Sequence, residues 1–434
     1  QMLPMIIDWL ADSPDPDLGL DQVRLLAASL PDHTELITTL TERPVVGQRL
    51  AYLLGSSRLL GKYLDRIPEF VGQLDDDEAI TNLRPRDELE ERLRRRLEAR
   101  PDPQDKLGTL RRFARRQIVR VAARDLLGMA DVGRTMEDLT AAADAAVSAA
   151  TSLADGDRGF AVIAMGRWGG EELSYASDLD VLYVFDSPLD ADSAMTRATR
   201  LRELLAAPAA DGIAWDLDAD LRPEGRSGPL VRSLDSYAAY YERWAQTWEF
   251  QSLIKARPVA GDPDLAARFM QLVASHLWQD PFPDSRIVDI RRMKARVEKE
   301  RVPFGEDPDF HLKLGPGGLV DVEFLVQLLQ LRHGGRDASL RVTSTRRAIA
   351  ALADAGVIGD TEARDLTAAY EFCSHVRNRL YLQAGRATDS LPRDPADERR
   401  LALSLGYERR GDLREEYLRL TRRARRIFED LFFD

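Results

Sequence analysis

Residues 164–185 read AMGRWGGEELSYASDLDVLYVF, a glycine-rich turn followed by an apolar strand that is entered through two aspartates. Side chains two apart in an extended chain leave the same face about 6.6 Å from one another, so Asp178 and Asp180 form a pair. At an effective dielectric near 20, two negative charges at that spacing repel by roughly 2.5 kcal/mol. Carboxylates at the entrance to a core strand therefore call for a shared proton or a bound cation. A divalent cation is the simpler answer.

Working outward, FAVIAM (160–165) has the length and composition of a buried strand, and DGDRG (155–159) before it is a turn signal. A third strand is expected in GIAWDLDADLRP (212–223), and SAMTRATRLRELLA (193–206) between the second and third has helical spacing. Strand, helix, strand in this order predicts a small α/β unit over 151–260. The third strand would carry Asp216, Asp218 and Asp220 on one face and Leu217, Ala219 and Leu221 on the other. If it lies beside the second, three carboxylates converge.

Both flanks read as helical. Before the α/β unit, over 1–150, apolar residues recur at three- and four-residue spacing in VGQRLAYLLGSSRLLGKYLDRIPEFV (46–71) and LRRFARRQIVRVAARDLLGMADV (110–132). The arginine face of the second stretch has the look of a phosphate or nucleic-acid patch. Interspersed acids favour a solvated face, or one docked on a neighbouring domain. After it, over 261–434, LVDVEFLVQLLQLRHGG (319–335), LTAAYEFCSHVRNRLYLQ (366–383) and EEYLRLTRRARRIFEDLFF (415–433) predict a helical bundle. The expected fold is α+β and mostly helical, a small α/β core between two helical regions.

The 434 residues suffice for two or three structural units, and the net charge of −12 disfavours a general nucleic-acid footprint. No signal peptide or membrane-spanning run is evident, so a cytoplasmic protein is expected, with neither membrane nor nucleic acid as partner. Gln1-Met2 runs straight into LPMIIDWL with no ordinary start, as expected of a piece of a longer polypeptide. The single cysteine, Cys373, sits among apolar residues and reads as a buried thiol, and five scattered histidines give zinc little to bind.

Convergent carboxylates without histidine or cysteine suit Mg²⁺, which takes oxygen ligands and keeps positions for water and substrate phosphates. Two such ions can clamp the attacking and leaving oxygens of an in-line displacement at phosphorus. Gly166, Gly169 and Gly170 would let the backbone approach a polyphosphate, and EELSY (171–175) is expected to open a helix facing it. Each element alone is common; glycine turn, spacer and SDxD strand in that order are specific.

That ordered combination resembles the nucleotidyltransferase signature of the DNA polymerase beta superfamily, and more closely the bacterial glutamine-synthetase adenylyltransferases. The likeness extends to LRRFARRQIVRVAARDLLG, to DADLRPEGRSGPLVRSLDSYAAYYERWAQTWEFQSLIKARPV (218–259) and to HLKLGPGGLVDVEFLVQLLQLRHG (311–334). It implies a polymerase-beta-type core, ATP as substrate, Mg²⁺ as cofactor and glutamine synthetase as protein partner, with a PII-type signalling protein and glutamine as possible effectors. Carried onto matching positions, it implies catalytic and metal-binding roles for Asp178, Asp180 and Asp218. Gly166, Arg167, Gly169 and Gly170 would hold the triphosphate, Ser177 would fix the turn, and Arg222, Lys255 and Arg257 are candidates to neutralise phosphate charge. For the last three a structural salt bridge is an equal alternative. Trp168 departs from the leucine expected there, and Asp216 and Asp220 complicate the ligand assignment.

The family joins two such units, one adding AMP and one removing it by phosphorolysis. LVDVEF after GPGG, the block at 221–241 and the opening LPMIIDWLADSPDPDLGL resemble the C-terminal, adenylylating half. The rivals are the removing half, a regulatory binding module without catalysis, and a nucleic-acid nucleotidyltransferase, for which the acidic balance gives little support. GPGG (315–318) reads as a helix-entry turn, with Asp321 and Glu323 behind it as lesser candidates to face a nucleotide.

Overall fold

The computed structural model describes residues 2–433 apart from 31–33, 82–83, 156–157, 207–213, 301 and 304. Among the described residues, five strands form one mixed sheet in an otherwise mostly helical chain: β1 (Phe160–Ala164), β2 (Leu179–Phe185), β3 (Leu217–Asp218), β4 (Val231–Ser233) and β5 (Arg257–Gly261). β1 runs antiparallel between β2 and β5, and β2 runs parallel to both β3 and β4.

The sheet is buried on both faces, which explains why FAVIA and VLYVF are unbroken apolar runs rather than alternations. Ala161, Ile163, Leu182 and Val184 enter one hydrophobic cluster with the C-terminal helices. Phe160, Val162, Val181 and Tyr183 enter another with the helices Arg86–Glu98, Pro103–Leu126 and Val132–Leu153. A third cluster belongs to the N-terminal helices and receives Leu382 from the helix Asp360–Ala384. Parity along β2 thus assigns Asp180, in step with Leu182 and Val184, to the face that looks toward the C-terminal helices.

The helix predicted between the second and third strands is present as Ala191–Ala206. Gly156 and Asp157 of the expected turn, and Gly212 and Ile213 of the expected third strand, lie outside the described residues. Two strands escaped the pattern reading. β4 is three residues long and β5 opens on Arg257-Pro258, so neither displays a period.

EELSY does not form a helix, contrary to expectation. The helical turn is Gly166–Gly169 itself. Beyond it Glu171 takes a positive φ of 58°, and Ser174 and Ser177 close a turn through hydroxyls 2.9 Å apart. Glu172 points inward, which a solvent-facing first helical turn would not permit.

The arginine-rich helix Pro103–Leu126 docks as expected, with Arg115 buried over the Tyr63 ring at 5.8 Å and Arg124 paired with Asp138. The GPGG turn leads into the helix Leu319–His333, and Gly317 adopts φ +70° with its Cα against the Thr421 carbonyl. An added Cβ would overlap that oxygen. Gly317→Ala is therefore expected to destabilise the chain by more than about 1 kcal/mol, read by urea unfolding, and an unchanged midpoint would contradict the packing role. Asp321 behind the turn is buried, accepting from the Gly317 N–H (2.7 Å) and pairing with Lys294 (2.6 Å) and Arg425 (3.0 Å). Cys373 is buried and burial pushes its thiol up to about 12. No helix among the described residues is long and apolar enough to cross a membrane.

Candidate active site

β2 and β3 lie side by side in parallel register, Leu179 opposite Leu217 and Asp180 opposite Asp218. Leu217 packs with Leu179 and Val181 on the far side of the sheet, so Asp218 shares the near face with Asp180 and, one pleat earlier, Asp178. The shared face is electrostatically costly. Burial, then the charges of Asp178 and Asp218, push the Asp180 carboxyl up to about 7. Desolvation and the charges of Asp218 and Asp216 also raise Asp178.

Asp220 is drawn aside by Arg226 at 2.6 Å and Arg222 at 3.7 Å, and Asp216 is exposed, bonding the neighbouring Leu217 N–H. Asp218 accepts the Asp220 N–H at 2.7 Å through one oxygen. Among the described residues no three histidine, cysteine or acidic side chains are closed around a single point. The donor chemistry still fits Mg²⁺: hard carboxylate oxygens, no nitrogen or sulfur, and excess negative charge on one face.

Asp180 looks onto a cleft of about 830 Å³ between the sheet and the C-terminal helices, with Gly166, Arg167 and Asp180 on one wall and Lys313, Glu323 and Trp248 among the residues opposite. Gly166 has φ +54° and lies so close to the Asp180 carboxylate that a Cβ would overlap it. Only glycine lets the turn and the aspartate meet there. Lys313, from the segment HLKLGPGG, is exposed at the cleft, and its charge opposes the upward shift of both Asp178 and Asp180. It is presented by a turn in which His311 Nδ1 accepts the N–H groups of Lys313 (3.2 Å) and Leu314 (3.0 Å).

The remaining expected residues are placed as follows. Ser177 bonds Ser174 within the turn. Arg222 donates to the carbonyls of Gly228 (3.1 Å), Ala219 (2.8 Å) and Arg226 (3.2 Å), bracing its own loop. Arg257 grips Asp144 through two nitrogens (2.7 and 3.0 Å) and donates to the carbonyls of Trp168 and Gly169. The Asp144 partner fits the salt-bridge alternative for Arg257, whereas Arg222 is held by carbonyls with Asp220 farther off at 3.7 Å. Arg167 and Lys255 line the cleft, yet both face carboxylates: Lys255 lies 3.3 Å from Glu172 and 3.5 Å from Glu323, and Arg167 lies 3.9 Å from Glu323.

Three residues that sequence reasoning passed over carry much of this geometry. Lys313 gave no signal beyond standing in a recognisable segment. Asp144, buried in the helix Val132–Leu153, accepts from Arg257 and from the Trp168 indole N–H (2.8 Å). That bond gives Trp168 a polar partner that leucine would not need. Glu172, 1 % exposed, accepts from Tyr370 (2.8 Å), Ser344 (3.0 Å), the Arg346 N–H (3.0 Å) and Lys255. Its spacing from the glycines, within EEL, is visible in the sequence, but the partners that turn it inward lie far downstream.

A family model for glutamate-ammonia ligase adenylyltransferase, glutamine synthetase being the ligase, matches residues 47–272. The chain belongs to this adenylyltransferase family. A model for GlnD PII-uridylyltransferase matches residues 290–432. Among curated proteins, the adenylyltransferase-family chain is 41 % identical to a bifunctional glutamine synthetase adenylyltransferase/adenylyl-removing enzyme of Streptomyces coelicolor, over 100 % of this chain and 46 % of that protein. Proteins of the same description from Cutibacterium acnes and Mycobacterium tuberculosis are 39 % and 38 % identical, over 100 % and 99 % of this chain and 45 % of each. The chain thus spans about half the length of the curated relatives it matches.

Proposed function

We propose that this chain is an adenylylating unit, moving AMP from ATP to a tyrosine hydroxyl of glutamine synthetase with release of pyrophosphate. The observation that carries the reading is the parallel register of β2 and β3, which sets Asp218 beside Asp180, itself on the wall of the cleft. In this reading Asp178, Asp180 and Asp218 hold Mg²⁺, which when bound supplies positive charge to the phosphates and to the incoming oxygen. Asp218 orients the tyrosine hydroxyl and takes its proton as the oxygen attacks the α-phosphorus. The glycine turn leaves room for the triphosphate, and the α-phosphorus to pyrophosphate bond breaks in line.

The resemblance of residues 221–241 and 319–324 to the C-terminal half supports the adding direction over phosphorolytic removal, which would use the same carboxylates. The test is mass spectrometry of glutamine synthetase after incubation with this chain, ATP and Mg²⁺. A tyrosine heavier by one AMP supports the proposal. Release of ADP from adenylylated glutamine synthetase and phosphate, without AMP addition, would assign the opposite direction.

Lys313 enters the proposal as a ligand to the leaving pyrophosphate. Lys313→Met is expected to raise KM for ATP about tenfold, as loss of one charge-assisted contact of about 1.4 kcal/mol does. Steady-state kinetics at saturating glutamine synthetase measures this, and an unchanged KM and kcat would remove Lys313 from the site.

A further inference from the structure

Along the helix Thr247–Leu253 and the turn after it, Trp248, Gln251, Ser252 and Lys255 recur at three- and four-residue spacing, and all four line the cleft. Val320, Glu323, Phe324 and Gln327 of the helix Leu319–His333 line it at the same spacing. Two contacts set the register between these faces: Lys255 lies 3.5 Å from Glu323, and Gln251 donates to Gln327 at 2.8 Å. The two segments therefore run antiparallel, and the chemistry of the cleft changes along them. A charged rung stands beside Arg167 of the glycine turn, an amide rung follows one helical turn farther on, and Trp248 lies beyond it.

This outer part of the cleft suits a flat, uncharged group. Met293 and Val297, from the helix Asp284–Glu300, add apolar side chains to Trp248 and Phe324, while Arg296 and Glu300 of the same helix are exposed. The Trp248 indole N–H donates to Gln246 at 3.1 Å, which fixes the ring by its edge and leaves its faces for contact. The bond between the two amides engages one N–H of Gln251 and the oxygen of Gln327, so the pair offers the cleft a carbonyl oxygen from Gln251 and an NH₂ group from Gln327. Trp248 stands seven residues before Lys255, about 10 Å at the helical rise. That distance is comparable with the reach from the phosphates to the base of an extended nucleoside triphosphate.

We propose that the outer part of the cleft binds the base of the nucleotide, with Trp248 stacking on the ring and the Gln251–Gln327 pair selecting adenine. The inference rests on the reading of the cleft as a nucleotide site. Adenine presents an exocyclic amine beside a ring-nitrogen acceptor, and these match the Gln251 oxygen and the Gln327 NH₂ group. Guanine carries a carbonyl oxygen where adenine has the amine, so the Gln251 oxygen meets an acceptor instead of a donor. Stacking on Trp248 adds affinity for either purine, because every base has a π-face. Trp248 is thus assigned to affinity and the amide pair to the choice of base.

The test is isothermal titration of the full chain in excess Mg²⁺ with ATP, GTP or inorganic tripolyphosphate, in the absence of glutamine synthetase so that no acceptor for AMP is present. ATP is expected to bind about tenfold more tightly than tripolyphosphate and about tenfold more tightly than GTP. Trp248→Leu should weaken ATP and GTP about tenfold each and leave tripolyphosphate unchanged, which also shows that the variant is folded. Gln251→Leu and Gln327→Leu should each remove most of the preference for ATP over GTP. Gln327 is half-buried where Gln251 is buried, so it guards against a variant that fails to fold. Equal binding of ATP and tripolyphosphate, equal binding of ATP and GTP by the parent, or a preference for ATP that survives in both glutamine variants overturns the inference and leaves the triphosphate site standing. Failure of all three ligands to bind overturns the reading of the cleft as a nucleotide site, and the inference with it.

Discussion

Asp180→Asn is expected to lower AMP transfer by at least about 10³-fold, the loss of some 4 kcal/mol of transition-state stabilisation, while leaving the metal-free fold intact or more stable. The two effects share one cause. Asp180 sits with Asp178 and Asp218 on a face of the sheet that packs toward other helices, and its carboxyl is raised to about 7 from an unfolded value near 3.9. Between those values the folded chain retains a proton that the unfolded chain has lost. Stability of the metal-free protein therefore falls as pH rises from about 4 to about 7 and stays lowered above it.

Asparagine has no such slope. In EDTA at pH 8 the variant should be more stable than the parent by about 1–3 kcal/mol, with the gap closing by pH 4. Mg²⁺ should stabilise the parent at pH 8 and the variant much less. Urea unfolding at the two pH values, with and without Mg²⁺, reads all of this. Transfer within tenfold of the parent, or a variant less stable than the parent at pH 8, would remove Asp180 from the metal site.

Legibility in the sequence followed from how local each feature is. β1, β2 and the helix Ala191–Ala206 declare themselves through continuous apolar runs and helical spacing, because their burial is set by their own residues. The pairing of Asp178 with Asp180 follows from strand parity, and the approach of Asp218 follows once β3 is placed next to β2. β4 and β5 stayed hidden because three residues, or a strand beginning Arg-Pro, show no period. Arg257 and Arg222 invited a phosphate reading since a guanidinium's sequence context does not reveal whether a carboxylate 113 residues away, here Asp144, or a nearby carbonyl receives it. Glu172 was misplaced for the same reason: three of its four partners, Ser344, Arg346 and Tyr370, lie more than 170 residues downstream.

Glu172→Ala is accordingly expected to produce the largest loss of stability, about 3–5 kcal/mol. Glu172 and Lys255, 1 % and 6 % exposed, form a buried pair at 3.3 Å. Burial alone would raise the Glu172 carboxyl, but Lys255 and Arg167, together with hydrogen bonds from the Arg346 N–H and Tyr370, outweigh it and hold it below the usual range, so its contribution is lost only as pH falls through that lowered value. Alanine would leave Lys255 to Glu323 at 3.5 Å and Thr345 at 3.1 Å, would deprive the Ser344 hydroxyl of its carboxylate acceptor, and would leave the Tyr370 hydroxyl only the longer bond to Glu323 at 3.3 Å in place of Glu172 at 2.8 Å. Because those hydroxyls belong to the C-terminal helices while Glu172 follows the glycine turn, the same change loosens the two walls of the cleft from each other. Transfer should fall along with stability, and hydrogen exchange should rise in residues 166–177 and 344–346 together. Glu172→Gln combined with Lys255→Met should cost less than the sum of the two single changes, since the double variant leaves no buried charge unpaired. A loss below about 1 kcal/mol for Glu172→Ala, or strict additivity in the cycle, would mean that the walls are held by apolar packing alone.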